Sequence, residues 1–280
     1  MPYITGTFLD GSDYKKLITK KTRILRMFRE ENMARKHFLT LNLSNLSSSE
    51  NIEAILFGES PHLTQEHLNE IAKCTKLKEL TLHTSSDLDF SVLNQTNIEE
   101  LIITFDCEAD PCQSIAELKT LKKLRVKFKT PGLEFTNPIH QSLELIPTSV
   151  EELCINGPVS DFNLSRLEHL KLKHLTLENL PTCELNFSVE MAQNLEGLYI
   201  MSCEHIGFLH SWPFKGSKNL KILNFSGSSW DAIDVEDFCE IESLKRVLFS
   251  DIFSLFVSDR KNLKITSPGW QPYKECFGEF

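Results

Sequence analysis

The stretch HLTQEHLNEIAKCTKLKELTL, residues 62–82, contains the pattern that decides the fold. Its last six letters, LKELTL from Leu77, have the form L-x-x-L-x-L, in which the first, fourth and sixth residues are apolar. The letters before them place Leu68 and Ile71 on one face of a helix, for which Thr64 is the predicted N-cap. A short helix followed by a short strand is therefore the predicted unit of structure.

The six-residue pattern occurs eight times, at intervals of 21 to 29 residues, and such a period is typical of leucine-rich repeats. The copies begin at Leu77, Ile98, Leu121, Val150, Leu172, Leu195, Leu220 and Leu244. Leu167 could also begin a copy, but it would leave only 17 residues after Val150, so the prediction takes Leu172. We number the strand positions of every copy from this first apolar residue.

One copy cannot bury its own leucines, whereas stacked copies can, because each strand pairs in parallel with the next about 4.8 Å away. Parallel strands need a crossover, and the remaining residues suffice for a turn and one short helix. The sequence therefore predicts an α/β fold, a right-handed leucine-rich-repeat solenoid or horseshoe. Its expected parts are a parallel concave sheet, short convex helices and an N-terminal helical cap.

The segment 62–82 also resembles the cysteine-containing repeats of F-box substrate receptors, in which a helix with a terminal cysteine precedes the strand. Cys74 occupies the helix end, and LEGLYIMSCEHI, residues 195–206, matches the other half of that pattern, with Cys203 at the turn. This resemblance implies substrate recognition for a ubiquitin ligase. No F-box is visible before the repeats, and the other copies lack the turn cysteine.

Two terminal segments frame the predicted solenoid of residues 41–258. Residues 1–40 are predicted to form a basic amphipathic helical cap, with a helix from Tyr14 to Phe38 after a possible cap at Asp13. Within residues 15–36, nine Lys or Arg stand against two Glu, a local charge of +7. The basic side chains are expected to be solvated and to complement the acidic body. Alternatively, or in addition, they form a recognition surface for nucleic acid, an acidic partner or anionic lipid, built from Lys15, Lys16, Lys20, Lys21, Arg23, Arg26 and Arg29. Residues 259–280 are predicted to be an aromatic cap or tail containing Trp270, Tyr273, Phe277 and Phe280.

Composition indicates an ordinary globular chain that stays inside the cell. The 280 residues are 41% apolar and 25% charged, with a net charge of −9 that argues against extensive nucleic-acid contact. No membrane span or signal peptide is predicted. The eight cysteines are scattered through the repeats, so reduced and mostly buried thiols are expected rather than disulfides. A cytoplasmic or nuclear location follows from these expectations.

No catalytic or metal-binding motif is found, so we expect a protein that is not an enzyme and has no cofactor and no small-molecule substrate. A glycine-rich phosphate loop, a nucleophile elbow and a C-x-x-C pair are all missing from the sequence. Cys203, His205 and His210 lie close in sequence, but they do not supply four ligands on one side of the chain. Cys107 and Cys112 have acidic neighbours, which raise a thiol pKa and disfavour a nucleophile.

The clearest functional signal is the set of side chains at positions three, five and seven, which face away from the core on the concave sheet. Lys123, Arg125 and Lys127 form a basic row between rows that contain Glu100 and Glu152. An exposed apolar patch is expected in the later copies, formed by Tyr199, Met201, Ile222 and Leu248 beside Arg246, with Trp230 on its rim. Together they predict binding of a protein or peptide with an acidic portion and an apolar anchor. The alternative is that the acidic rows neutralise the basic one.

Three functions remain open from the sequence. A non-catalytic interaction module or adaptor is favoured, because repeats and caps account for the whole length. A substrate-recognition subunit of a ubiquitin ligase is the alternative that the resemblance implies. A nucleic-acid-associated protein using the basic N-terminal helix is the third, and its binding would weaken steeply with salt.

Overall fold

The structure is a computed structural model. It describes residues 3–6, 22–27, 43, 46, 51–58, 63–84, 87–105, 110–129, 142–159, 162–233, 237–249 and 264–266. Its main element is a sheet of twelve strands, in which every neighbouring pair is parallel. The strands, in the order in which they pair, are β1 (Tyr3–Gly6), β2 (Ile24–Met27), β3 (Ala54–Phe57), β4 (Glu79–Thr84), β5 (Glu100–Phe105), β6 (Lys123–Phe128), β7 (Glu152–Asn156), β9 (His174–Glu178), β11 (Gly197–Met201), β13 (Ile222–Phe225), β15 (Arg246–Phe249) and β16 (Lys264–Thr266).

The register of this sheet confirms the frame taken from the sequence. Position three of each predicted copy pairs with position three of the next, including His174 with Glu152 on one side and Gly197 on the other. The prediction that this copy begins at Leu172, and not at Leu167, is therefore confirmed. Backbone bonds fix the alignment, because the position-two carbonyl of Glu151 accepts the amides of both Lys173 and His174, at 2.7 and 3.2 Å.

The sheet is longer at both ends than the eight predicted strands. Strands β1, β2 and β3 precede the first predicted copy and β16 follows the last, so the sheet contains strands on both sides of the boundaries placed at residues 41 and 258. The helix predicted from Tyr14 to Phe38 is wrong at Ile24–Met27, which pair with β1 and β3. The amphipathic spacing of this segment is outweighed by burial of Leu25 at position four of a strand.

The core lies beneath the sheet, where positions one, four and six point inward. In the repeat of β5, Ile98, Leu101 and Ile103 are at most 1% exposed, and positions one, four and six are likewise buried in the copies that begin at Leu77, Leu121, Val150, Leu172, Leu195 and Leu220. In the last copy, Leu244 and Val247 at positions one and four are buried. Neighbouring copies also stack their aromatic side chains, as Phe105 and Phe128 do with ring centroids 5.5 Å apart. The buried apolar residues form one continuous cluster from Leu25 to Val247. This continuity is how repeats that cannot fold alone become stable together.

The crossovers on the other side contain short helices, as predicted. The α-helices are α1 (Gln65–Ala72), α2 (Cys112–Ile115) and α3 (Val189–Asn194), and the 3₁₀ helices are Phe90–Gln95, Leu143–Leu145, Leu164–Leu167, Trp212–Phe214 and Asp237–Glu240. Thr64 has the extended conformation of an N-cap before α1, and its amide donates to Nδ1 of His67 at 3.1 Å. The predicted cap at Thr64 is therefore confirmed. None of the helices in the described ranges has the length and apolar character needed to cross a bilayer.

A second sheet, which the sequence analysis did not predict, follows the turns of four consecutive repeats. It is parallel and consists of β8 (Phe162–Asn163), β10 (Cys183–Glu184), β12 (Ile206–Leu209) and β14 (Trp230–Ile233), in the order β14-β12-β10-β8. In this part of the chain a buried residue follows the turn of each of three repeats: Phe162, Cys183 and Ile206. Two parallel sheets therefore enclose the core of the later repeats.

Candidate binding surface on the concave sheet

The predicted basic row lies on β6, with its three side chains on the concave side. Glu100, Lys123 and Glu152 align in one row, followed by Ile102, Arg125 and Cys154, and then by Thr104, Lys127 and Asn156. Lys123 and Lys127 are exposed and Arg125 is half-buried. The register is therefore consistent with the prediction that these cations share one face of one strand. Each cation lies in a different row and so has different neighbours.

Lys123 is already matched by acidic side chains. Its Nζ lies 3.1 Å from a carboxylate oxygen of Glu152, and Glu100 is its partner in register on the other side. The row continues to Glu79, whose pKa is raised because its carboxyl is partly buried and faces Glu100, against smaller opposing effects of Arg26 and Lys123. The alternative of internal neutralisation thus holds for Lys123. An incoming acidic group would have to compete with carboxylates here.

Arg125 lies in a row without carboxylates. Its neighbours in register are Ile102 on β5 and Cys154 on β7. Burial raises the pKa of Cys154 to about 11, while Arg125 opposes this rise through its charge and a hydrogen bond to the sulfur. The thiol therefore stays protonated at neutral pH. The guanidinium stands on a surface made of an aliphatic side chain and a thiol.

Lys127 is an exposed cation whose neighbours in register are uncharged. Among the residues that the structure describes, no carboxylate forms an ion pair with it, and its neighbours in register are Thr104 and Asn156. The nearest acidic side chain in this row is Glu178, two strands away, and it accepts a hydrogen bond of 2.6 Å from Nδ2 of Asn156. Asn179 in turn donates to Oδ1 of Asn156 at 3.1 Å. The Glu178 carboxylate is therefore held by an amide, and Lys127 faces solvent.

The predicted exposed apolar patch is wrong at Tyr199 and Met201, which are only 9% and 1% exposed. A Cβ atom on Gly197 would stand 2.8 Å from Cε2 of Tyr199, so the tyrosine ring occupies the space that glycine leaves free. Sδ of Met201 is covered by Asn224, whose Nδ2 lies 3.4 Å away. Both side chains thus lie flat on the sheet and fill it, instead of projecting from it.

Trp230 does not lie on the rim of this patch. It begins β14 in the second sheet, where it pairs with Ile206, so its backbone belongs to a different layer of the protein. Ile222, Arg246 and Leu248 do come together on the concave sheet, where all three are half-buried. Ile222 on β13 is aligned with Arg246 on β15, and Leu248 lies on β15 two residues after Arg246.

The N-terminal basic surface can be assessed only at Arg23 and Arg26. Arg26 lies on β2 and Arg23 immediately precedes this strand, where it forms an ion pair with Glu53 of the next repeat. The remaining basic residues of the predicted surface (Lys15, Lys16, Lys20, Lys21 and Arg29) and the aromatic tail of residues 267–280 lie outside the described residues.

Five cysteines of the described ranges are buried thiols, in agreement with the prediction. Cys74, Cys112, Cys154, Cys183 and Cys203 are free and at most 8% exposed. Burial raises the pKa of Cys74 and Cys203 to about 11, and it raises that of Cys112 further, with a contribution from the charge of Asp110. As predicted, Cys203 points inward, whereas His205 and His210 are exposed. The described part of the chain contains no group of three or more His, Cys, Asp or Glu side chains placed to hold a metal ion.

Comparisons with known proteins support the fold alone. No protein-family profile and no curated protein sequence matches the chain. Among solved structures, the chain is similar to an internalin (InlF) from Listeria monocytogenes, with a TM-score of 0.51 and 17% identity over 84% of this chain and 62% of the internalin. It is also similar to the leucine-rich-repeat ectodomain of the plant receptor kinase GASSHO1/SCHENGEN3 from Arabidopsis thaliana, solved with Casparian strip integrity factor 2, with a TM-score of 0.47 and 15% identity over 82% of this chain and 26% of that one. The parallel sheet and the similarity to the internalin show the architecture of a leucine-rich-repeat solenoid. The chain spans less than two thirds of either of these proteins.

Proposed function

We propose that the chain is a non-catalytic binding module, which holds an acidic segment of a protein or peptide against the concave sheet at Arg125 and Lys127. The observation that carries this proposal is Lys127, an exposed cation in the middle of the sheet without a carboxylate partner in the described ranges. Charged groups on an interface fix the orientation of a partner and increase the rate of encounter. The adjacent Arg125 offers the planar donor set that suits a second carboxylate.

The partner also needs an apolar side chain at a defined distance from its acidic group. The half-buried Ile222 and Leu248 lie on β13 and β15 and supply apolar surface beside Arg246. Four strand spacings separate β6 from β13, which amounts to about 19 Å at 4.8 Å per strand. An extended peptide covers this distance with about six residues. Lys127 also lies four residues further along its strand than the residue aligned with Ile222, a further offset of about 13 Å. The diagonal is therefore about 23 Å, and we expect an acidic residue and an apolar residue about seven positions apart.

An intracellular setting is part of the proposal. Cys74, Cys112, Cys154, Cys183 and Cys203 are free thiols spread over different repeats, which suits a reducing compartment. In such a setting the chain would act as an adaptor that brings its acidic partner to other proteins.

The test starts with a random peptide library displayed on phage and selected on the intact chain. The selected peptides are then titrated against the wild type and Lys127→Glu by fluorescence anisotropy. We expect peptides enriched in Asp and Glu, with Kd raised at least about tenfold by Lys127→Glu. Lys218→Glu is the matched control, because it makes the same charge change at an exposed lysine that precedes β13 and lies off the concave rows. Acidic peptides that bind Lys127→Glu and wild type equally would contradict the proposal.

A further inference from the structure

The edge at which the strands begin carries an alternating row of charges, which we call the charge ladder. It consists of the position-two side chains of ten consecutive strands, from β2 to β15: Arg23, Glu53, Lys78, Glu99, Lys122, Glu151, Lys173, Glu196, Lys221 and Lys245. The sign alternates at every step from Arg23 to Lys221 and fails only at Lys245.

Backbone geometry keeps the ladder straight and evenly spaced. Each position-two carbonyl accepts the amide of the next position-two residue, as the carbonyl of Glu99 accepts from Lys122 at 2.8 Å and that of Lys122 accepts from Glu151 at 2.8 Å. The same bond occurs at all nine steps of the ladder. The backbone positions of successive ladder residues are therefore one strand spacing apart, about 4.8 Å.

The ladder is accessible to a partner. Its lysines are exposed and its glutamates half-buried, and a shallow groove of about 540 Å³ runs along it from Glu53 to Glu151. Among the described residues, the ladder charges form ion pairs with their neighbours in the row, for example Lys173 with Glu151 at 2.6 Å and Lys122 with Glu99 at 3.8 Å. Exposed pairs of this kind contribute little to stability, and their charges remain available to a second row.

The order of charges is self-complementary. Consider a twofold axis that is perpendicular to the ladder and passes between Lys122 and Glu151. It relates the row of eight charges from Glu53 to Lys221 to the same row of a second copy, running in the opposite direction. Each charge then faces a charge of opposite sign. The axis places Lys122 opposite Glu151, Glu99 opposite Lys173, Lys78 opposite Glu196 and Glu53 opposite Lys221 of the second copy, each contact occurring twice. A twofold interface requires a surface that complements itself in this way.

We propose that the charge ladder is an interaction surface for a second copy of this chain, joined edge to edge about that twofold axis. The surface is distinct from the concave rows at Arg125 and Lys127, so a dimer leaves the proposed binding surface open. At each end of the paired ladders, Arg23 of one copy faces Lys245 of the other, so the two end contacts join like charges. They limit the strength of association and mark where it can be increased.

Sedimentation velocity of the intact chain over a concentration series tests this proposal. Wild type is expected to dimerise in about 20 mM salt and to be monomeric in about 1 M salt, where the screening length falls to about 3 Å. Lys122→Glu and Glu151→Lys each place two like-charged contacts at the axis, so each variant alone is expected to associate at least about tenfold more weakly. An equimolar mixture of the two variants restores opposite charges at both contacts and is expected to form the heterodimer.

Two further variants keep the test decisive if the central variants fold poorly. Lys245→Glu replaces the like-charged end contacts by attractive ones and is expected to strengthen dimerisation, whereas Lys218→Glu lies off the ladder and leaves it unchanged. The proposal is overturned if wild type is monomeric in low salt at every concentration. It is equally overturned if the mixture of Lys122→Glu and Glu151→Lys, both shown to be folded by circular dichroism, remains monomeric.

Discussion

The ring of Tyr199 lies over the Cα atom of Gly197, two residues earlier on the same strand. A Cβ on Gly197 would meet Cε2 of the tyrosine at 2.8 Å and its hydroxyl oxygen at 3.0 Å, with Nδ1 of His174 at 2.8 Å on the neighbouring strand. The missing side chain thus creates the space into which the tyrosine folds. This pair explains how a large aromatic residue on the concave sheet becomes buried.

Replacement of Gly197 by alanine is expected to force Tyr199 off the sheet. Overpacking of this kind costs about 1–2 kcal/mol of the free energy of unfolding, which a urea titration measures. Gly207→Ala is the matched control, because nothing lies within 4 Å of a Cβ built there. It is expected to be neutral or to stabilise by about 0.5 kcal/mol through the unfolded chain. Equal stability of the two variants would contradict the packing of Tyr199 against Gly197.

Leu175 tests the inward face of the central repeats. It occupies position four of β9 and is fully buried, so Leu175→Ala leaves a cavity in the continuous core. The expected loss is about 3 kcal/mol in the free energy of unfolding, measured by urea titration. Lys171→Ala, at an exposed site of the same repeat, serves as control. A loss below about 1 kcal/mol for Leu175→Ala would show that the strand does not point this residue inward.

Glu79 gives the chain a pH dependence of predictable sign. Its pKa is raised chiefly by burial and then by Glu100, so the folded state binds the proton more tightly than the unfolded state. The stabilisation by this group is present below its ordinary pKa and is lost as the pH rises through the raised value. Glu79→Gln is therefore expected to increase the melting temperature at pH 7, with the difference from wild type disappearing in acid.

The control for this prediction is Glu53, whose pKa is lowered mainly by its hydrogen bond from Arg23. Its contribution has the opposite sign, since it is present above the ordinary pKa and is lost as the pH falls through the lowered value. Glu53→Gln is therefore expected to reduce the melting temperature at pH 7. If both variants shift the melting temperature in the same direction, the assigned electrostatics of Glu79 are wrong.

The buried thiols should resist alkylation in the native protein. Cys74, Cys154 and Cys203 have pKa values raised to about 11, so at pH 8 well under about 1% of each is thiolate, and each is also shielded from reagent. Iodoacetamide treatment followed by peptide mass spectrometry is expected to label these three residues only after unfolding in guanidinium chloride. Rapid labelling of Cys154 in the native state would mean that the concave centre is open at this point.

The sequence allowed prediction of the repeat frame because apolar residues recur at positions one, four and six. The same rule failed near the N-terminus for identifiable reasons. In the copy that contains β2, position one is Thr22, a polar residue, so the pattern is broken although its side chain is only 2% exposed. In the copy that contains β3, Ala54 and Leu56 at positions three and five remove the contrast between inward and outward residues. Pairing with neighbouring strands fixes both segments, and pairing is not visible in a local pattern.

The concave rows were predicted correctly as a register, whereas the exposure of their side chains was not. The exposure of Tyr199 depends on Gly197, two residues earlier, and on His174, the neighbour of Gly197 across the sheet. The exposure of Met201 depends on its contact with Asn224 in the next repeat. These are contacts between specific side chains, which a periodic pattern does not contain. The charge ladder, by contrast, could have been found in the sequence, because one position of every aligned copy is charged.

A crystal structure of the chain with one of the selected acidic peptides tests the central claim most directly. The proposed binding mode predicts that the peptide crosses the concave sheet, with a carboxylate oxygen about 3 Å from Nζ of Lys127 and an apolar side chain against Ile222. A peptide seated on the strand edge or on the helical side, with Lys127 left in solvent, would contradict it.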